Sequence, residues 1–164
     1  MEIRKTTKLS MLLALSIVLS IIESFIPILN GIVPGIKLGL ANAIIIIVIY
    51  LYSFKDALYV SILRVILVGV LRTGLFSISF FFSISGALLS ITMMNLCKKF
   101  TKLSIVGISI IGAISHSIGQ IIIAIIFLNN ANVIYYLPYL LILSIPTGII
   151  VGMSSKQVIE YYKK

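Results

Sequence analysis

The chain has 164 residues, of which 60% are hydrophobic and only 10% are charged, and its mean hydropathy is +1.23. A soluble domain of this size needs far more polar surface, so the composition excludes an ordinary soluble protein. The formal net charge of +9 would suit a nucleic-acid-binding protein, but the basic residues lie between apolar blocks and not on one soluble face. We therefore attribute the charge to membrane topology and expect no nucleic-acid partner.

Long apolar runs predict six membrane-spanning helices. Peptide groups in the bilayer must be satisfied internally, and a helix needs about 20 apolar residues to cross. The strands of a membrane barrel alternate apolar and polar residues, whereas the run at 43–49 does not alternate. In chain order the predicted spans are about 9–26, 38–54, 57–75, 78–97, 103–128 and 135–153. We expect an all-α integral membrane protein with a single domain, residues 1–164, and an uncleaved first span.

The distribution of Lys and Arg predicts the orientation of these spans. Cytoplasmic loops collect basic residues. Ten of the thirteen lie in the N-terminus, the second loop, the fourth loop and the tail, which all fall on one side of a six-span topology. The other three are Lys37 and Arg72, near helix ends on the opposite side, and Arg64, within the third span. Both termini are therefore predicted to be cytoplasmic, in a multi-pass protein of the cell membrane.

Ionisable residues within spans are costly in lipid and indicate partners or function. Glu23 is the only acidic residue in a span, and it is predicted either to pair with an arginine of the third span or to line a pocket. Arg64 and Arg72 are eight residues apart, which places them on roughly one side of that helix. With Lys37 they leave a surplus of positive charge that could receive an anionic ligand.

The middle of the fifth span carries His116 and Gln120, which share one helix face at i and i+4. The histidine is predicted to be an interhelical hydrogen-bond partner, or to take part in proton transfer or ligand contact. No metal site is expected, because no carboxylate or cysteine lies near it in the same helix. Cys97 is the one cysteine, so it cannot form an internal disulfide.

The segment between the first two spans has the composition of a shaped loop. Pro34, Gly35 and Gly39 surround Lys37, and Asn42 follows just inside the second span. Irregular backbone at this depth must be buried in protein or line a cavity. This segment is the most site-like stretch of the sequence.

Small residues recur every four positions on two spans. Ser16, Ser20 and Ser24 lie on the first span, and Gly148 and Gly152 form a GxxxG pattern on the sixth. Such faces let helices approach closely, so they predict packing within the bundle or, for the first span, docking of a partner subunit.

Three motifs carry a resemblance to a known family. PGIKLGLAN at 34–42, SISGALLS at 83–90 and GAISHSIGQ at 112–120 resemble the heptaprenyl diphosphate synthase component I family, also called Gx transporter. That family is similar to the S-components of energy-coupling factor transporters, which are six-helix membrane proteins. The resemblance implies a substrate pocket near the outer face, covered by the loop at 34–39. It also implies that Ser16 and Ser20 face a transmembrane coupling subunit with cytoplasmic ATPases.

The sequence predicts no catalysis by this chain. Prenyl transfer needs several carboxylates to hold magnesium against a diphosphate, and Asp56 is the only aspartate. No phosphate-binding GxxxxGK[ST] loop is present, and we expect no cofactor. The leading hypothesis is an S-component-like subunit that binds a small molecule, either anionic, isoprenoid or vitamin-like. The alternative is a membrane partner of a soluble prenyl diphosphate synthase in quinone biosynthesis. A flavin-linked electron-transfer subunit is a third and weaker class.

The residues predicted to bind the small-molecule ligand are Glu23, Pro34, Lys37, Asn42, Arg72, His116 and Gln120.

Overall fold

A computed structural model describes residues 2–25 and 39–163 of the chain, with side chains for 3–25 and 39–162. All of the regular elements in these ranges are helical. The six α-helices are α1 (Glu2–Glu23), α2 (Asn42–Leu51), α3 (Phe54–Val68), α4 (Ile78–Phe100), α5 (Ile105–Leu128) and α6 (Leu137–Lys163). A π-helical turn (Gly69–Thr73) extends α3, and a 3₁₀ turn (Ala131–Tyr136) precedes α6.

Four helical stretches in the described ranges are long and apolar enough to cross a membrane. They are Ile3–Glu23, Ile78–Phe100, Ile105–Leu128 and Ala131–Tyr162. The chain is therefore a helical multi-pass membrane protein, as its composition predicts. The second predicted span is shorter than expected, because α2 has only 10 residues. At 1.5 Å per residue it is about 15 Å long, roughly half of the hydrocarbon core.

Two helices continue beyond the ends that hydropathy predicts for their spans. α1 begins seven residues before the predicted start of its span, and α6 continues ten residues beyond the predicted end of its span. Hydropathy locates only the apolar part of a helix. Polar residues that form helix well can continue the same helix into water, beyond the end of the apolar run. Serine caps set three of the starts: Ser53, Ser77 and Ser104 each accept an N–H bond from the first turn of α3, α4 and α5.

Helix α2 is the buried centre of the bundle. It packs against α1, α3, α5 and α6. Every residue of Ile44–Ile49 is buried, so the helix is buried on all of its faces. Helix α5 packs closely with both α4 and α6. A Cβ at Gly148 would lie 2.8 Å from Ile110 Cα, and one at Gly152 would lie 2.7 Å from Val106 Cα. The GxxxG pattern therefore serves the packing of α6 on α5, as its spacing predicts.

The basic ends of the helices gather at one end of the bundle, which we call the basic end. Lys5 of α1 forms a salt bridge with Asp56 of α3 at 2.8 Å. Lys98, near the end of α4, donates to the carbonyl of Ile49 near the end of α2. Tyr162, near the end of α6, lies beside the same concavity as Lys8. The start of α1 and the end of α6 therefore lie on the same side of the molecule.

Candidate functional site

The carboxylate of Glu23 is held by backbone at the end of α1. It accepts the N–H groups of Gly39 and of Leu40, the latter at 3.1 Å, and the side chain is 5% exposed. Gly39 has φ +87°, a left-handed conformation that favours glycine. This turn carries the two N–H groups to the carboxylate and then leads into α2, so the glycine and the acid form one structural unit.

Arg64 of α3 is buried in the same region and is 4% exposed. Its guanidinium makes a long hydrogen bond of 3.5 Å to Asn42 Oδ1 and interacts electrostatically with Glu23. Asn42 Nδ2 in turn donates to Ser90 Oγ of α4 at 3.3 Å. A buried charge needs compensation of this kind, because desolvation penalises it strongly. The polar contacts thus connect α1, α2, α3 and α4.

His116 of α5 occupies a slot between two glycines. A Cβ at Gly86 of α4 would lie 2.8 Å from His116 Cε1, and one at Gly39 would lie 3.5 Å from His116 Cδ2. His116 Nε2 lies 3.1 Å from Gln120 Nε2, so these two residues interact along one face of α5, as their spacing predicts. The histidine therefore brings α5 to the turn that holds Glu23.

Close backbone contact between α4 and α5 fixes this slot. A Cβ at Gly119 would lie 2.8 Å from the carbonyl oxygen of Ser85 and 2.9 Å from Gly86 Cα. Ser85 Oγ donates to the carbonyl of Gly119 at 2.8 Å. The motifs at 83–90 and 112–120 therefore pack directly on each other, and the end of the motif at 34–42 lies against both.

Together these groups form what we call the buried polar cluster. Its members are Glu23, Asn42, Arg64, Ser90, His116 and Gln120.

A narrow cavity opens beside the cluster. Its lining includes Ser20, Glu23, Arg64, Ser83 and His116. Its volume, measured as the space open to the centre of a water molecule, is about 20 Å³. That volume holds one or two water molecules. Chemically the site combines a carboxylate, a guanidinium and an imidazole, so a small polar group there would meet donors and acceptors together.

Four predicted ligand residues meet in the cluster: Glu23, Asn42, His116 and Gln120. Arg72 does not join them. It is exposed, stacks on the Phe25 ring at 3.8 Å from the centroid, and donates to the carbonyl of Ser24 at 3.4 Å. Arg64 and Arg72 both lie toward the end of α1, since Arg64 interacts with Glu23 and Arg72 with Ser24 and Phe25, but only Arg64 is buried. Pro34 and Lys37 lie outside the described residues.

The predicted docking face of α1 requires a correction. Ser16 and Ser20 are 0% and 6% exposed, and Ser20 lines the cavity. Both serines therefore belong to the interior packing of the bundle, which is the other interpretation that their spacing allows. The outward face of α1 consists of large apolar side chains, among them Met11, Leu15, Val18 and Ile22.

Two members of the cluster were absent from the predicted ligand residues. The sequence does single out Arg64, because a charge deep in a span needs a partner. Ser90 carried little signal, because a serine in a span is common and only the fold brings it to Asn42.

Comparison with known proteins gives one match. A family model described as heptaprenyl diphosphate synthase component I matches residues 12–158, which include the described parts of all three motifs. No curated protein and no solved structure matches the chain.

Proposed function

The chain belongs to the heptaprenyl diphosphate synthase component I family, and we propose that it is the non-catalytic membrane partner of a soluble prenyl diphosphate synthase. The family match over 147 residues, 12–158, carries this proposal. In this role the chain would hold the catalytic subunit at the membrane, where a long isoprenoid product partitions. The soluble subunit would supply the magnesium-binding carboxylates that prenyl transfer needs.

The few carboxylates of the chain support a non-catalytic role. Asp56 is the only aspartate, and it lies at the basic end in a salt bridge with Lys5. Glu23 accepts backbone N–H groups inside the bundle, and Glu160 lies 3.7 Å from Lys156 on the surface of α6. These are three of the four acidic residues of the chain, and they occupy separate places, whereas magnesium bound to a diphosphate is held by carboxylates that converge.

We further propose six membrane crossings with both termini in the cytoplasm. The start of α1 and the end of α6 lie at the same end of the bundle, which an even number of crossings requires. In this topology the short α2 and the helix formed by α3 and its π-helical turn are the second and third crossings. The basic end then faces the cytoplasm, in agreement with the positive-inside rule.

The basic end supports docking of a soluble subunit. Lys55, Lys99 and Lys102 are exposed there, with Lys156 half exposed nearby. A basic surface attracts an acidic partner and accelerates encounter at low salt. The partner expected on this chemistry is a soluble protein with an acidic, aspartate-rich face.

Co-purification tests the proposal. Tagged protein, expressed with the aspartate-rich prenyl diphosphate synthase of the same organism, is expected to retain that subunit in detergent. The double variant Lys99→Glu/Lys102→Glu is expected to lower the retained amount several-fold, because it reverses the charge of the docking surface. Asn132→Glu, which adds a negative charge to the exposed turn before α6, is the control and is expected to retain the subunit. Failure of the unmodified protein to retain any synthase overturns the proposal.

A second function, an S-component-like binding subunit of a transporter, is favoured by one observation. The described parts of the three family motifs converge on the buried polar cluster and its cavity. Native mass spectrometry of protein extracted in mild detergent tests this function. A retained small anion that is lost in Arg64→Gln supports it, and an extract without any such ligand argues against it.

A further inference from the structure

A second and much larger concavity lies at the basic end, between α1, α2 and α6. We call it the recess, and its volume is about 360 Å³, against about 20 Å³ for the polar cavity. Sites for small molecules range from about 300 to 1,000 Å³. Its lining includes Lys8, Met11 and Leu15 of α1, Ile47 of α2, and Val158 and Tyr162 of α6. The recess therefore has the size of a ligand site, which the polar cavity lacks.

The recess lies alongside the last turns of α2. Helices α1 and α6 flank α2 and form the walls, and Ile47 and Leu51 of α2 lie between them. Ile47 is 4% exposed and forms the floor, whereas Met11 and Leu15 on the α1 wall are 68% and 49% exposed. From Lys8 to Leu15 the wall runs about 10 Å along the helix. The recess is thus an apolar trough that opens toward the lipid.

The rim of the trough is polar at the basic end. Lys8 supplies a cation, and Tyr52 and Tyr162 supply hydroxyl donors. Arg4 lies one helical turn before Lys8 on α1 and is exposed. Apolar walls with a positive, hydroxyl-bearing rim match an amphiphile that has an anionic head and an apolar tail.

A second apolar groove on the same molecule provides a contrast. It lies between α4 and α5, has a volume of about 480 Å³, and is lined by apolar side chains with Ser85 and Thr92. Both hydroxyls bond carbonyls of the bundle, and none of its described lining residues is basic. This groove is suited to lipid tails alone.

We propose that the recess binds the head and the first isoprene units of an isoprenoid diphosphate. Lys8, Arg4 and the tyrosine hydroxyls contact the diphosphate, Met11, Leu15 and Val158 contact the chain, and the remainder of the tail lies in the bilayer. The choice of a diphosphate over a phospholipid rests on the proposed function as a synthase partner. It also rests on the rim, which places two cations on one helix and so favours a head with more than one negative charge.

Binding to the purified chain, without any synthase, tests the inference. The protein is placed in nanodiscs of phosphatidylcholine, and geranylgeranyl diphosphate is added and measured by native mass spectrometry. We expect saturable binding that neither geranylgeraniol nor inorganic diphosphate alone reproduces, because head and tail contribute together. Competition by phosphatidylglycerol at equal concentration would overturn the inference in favour of an ordinary lipid groove.

Variants locate the site. Lys8→Gln is expected to weaken binding about tenfold, since it removes a charge-assisted contact. Leu15→Trp, which fills the trough, is expected to abolish binding. Ile122→Trp makes the same change in the α4–α5 groove and is expected to bind as the unmodified protein does. Equal loss in both tryptophan variants, or loss in neither, contradicts the inference. If Leu15→Trp does not fold, binding of the diphosphate is compared between Lys8→Gln and Lys99→Gln. The inference requires that only Lys8→Gln binds more weakly.

The result is independent of the docking experiment. Binding of the diphosphate without retention of a synthase would overturn the proposed function and leave the recess as a ligand site. Retention of a synthase without binding of the diphosphate would support the proposed function and overturn the assignment of the recess as a ligand site.

Discussion

The buried polar cluster and the recess differ in what their polar groups do. In the cluster, Glu23 and Arg64 face backbone N–H groups and side chains of the bundle, and the adjoining cavity admits only about 20 Å³. In the recess, Lys8 stands at the rim of about 360 Å³ of apolar space. The polar residues of the cluster therefore connect the helices of the bundle, whereas room for a ligand exists in the apolar space between α1, α2 and α6.

The largest effect on folding is expected from Glu23→Ala. It removes the acceptor of two backbone N–H groups and leaves Arg64 buried without its opposite charge. Removing one member of a buried charge pair costs about 3–5 kcal/mol. Thermal denaturation in detergent, followed by circular dichroism, is expected to show a correspondingly lower midpoint.

Glu160→Ala is the matched control for this acid, because Glu160 is 61% exposed and pairs with Lys156 one turn away on the surface of α6. Its effect is expected to stay below about 0.5 kcal/mol. Similar losses in the two variants would show that the cluster does not hold the helices together.

A smaller loss of stability is expected from Gly119→Ala, which tests the close packing of α4 on α5. The new Cβ would meet the backbone of Ser85 and Gly86 at 2.8 to 3.0 Å, so α4 and α5 must separate. Overpacking of this kind costs about 1–3 kcal/mol. The same change at Gly107, where a Cβ finds only ordinary contacts at 3.6 Å, is expected to be neutral or stabilising. A stable Gly119→Ala protein would contradict the tight contact.

A weak dependence on pH is expected at the basic end. The side-chain hydrogen bond from Lys5, then that from Ser53, lowers the pKa of Asp56 from its ordinary value of 3.8. The stability that this carboxylate contributes is therefore complete above 3.8 and is lost as the pH falls toward the lowered pKa. Thermal denaturation midpoints, measured from about pH 5 downward, are expected to fall slightly more in the unmodified protein than in Asp56→Asn. Identical curves would show that the salt bridge contributes nothing.

The smallest effect on stability is expected in the recess itself. Leu15→Ala removes a side chain that is 49% exposed within the chain, and Lys8→Gln changes an exposed one, so each is expected to alter stability by less than about 0.5 kcal/mol. The midpoint without ligand checks this expectation. A loss as large as that of Glu23→Ala would mean that the recess is structural.

The sequence predicts much of this architecture, since hydropathy alone locates six helices in order and basic residues identify their common end. It does not predict that α2 ends after 10 residues or that a π-helical turn follows Val68, because apolar content says nothing of helix length or phase. Ionisable residues within spans identified Glu23 and His116. The four-residue spacing of Ser16 and Ser20 indicated a packed face but not which side of α1 it covers. The recess depends on how α1, α2 and α6 pack together, and no local sequence pattern carries that information.

The most direct measurement of the difference between the two regions is photolabelling with a benzophenone-bearing isoprenoid diphosphate, followed by peptide mapping of the protein in nanodiscs. We expect label on the parts of α1, α2 and α6 that line the recess, at residues 8–15, 47–52 and 158–162, and its reduction by unlabelled geranylgeranyl diphosphate. Label concentrated at residues 20–23, 39–42 and 64–68, which line the polar cavity and not the α4–α5 groove, would place the ligand at the buried polar cluster and contradict this account.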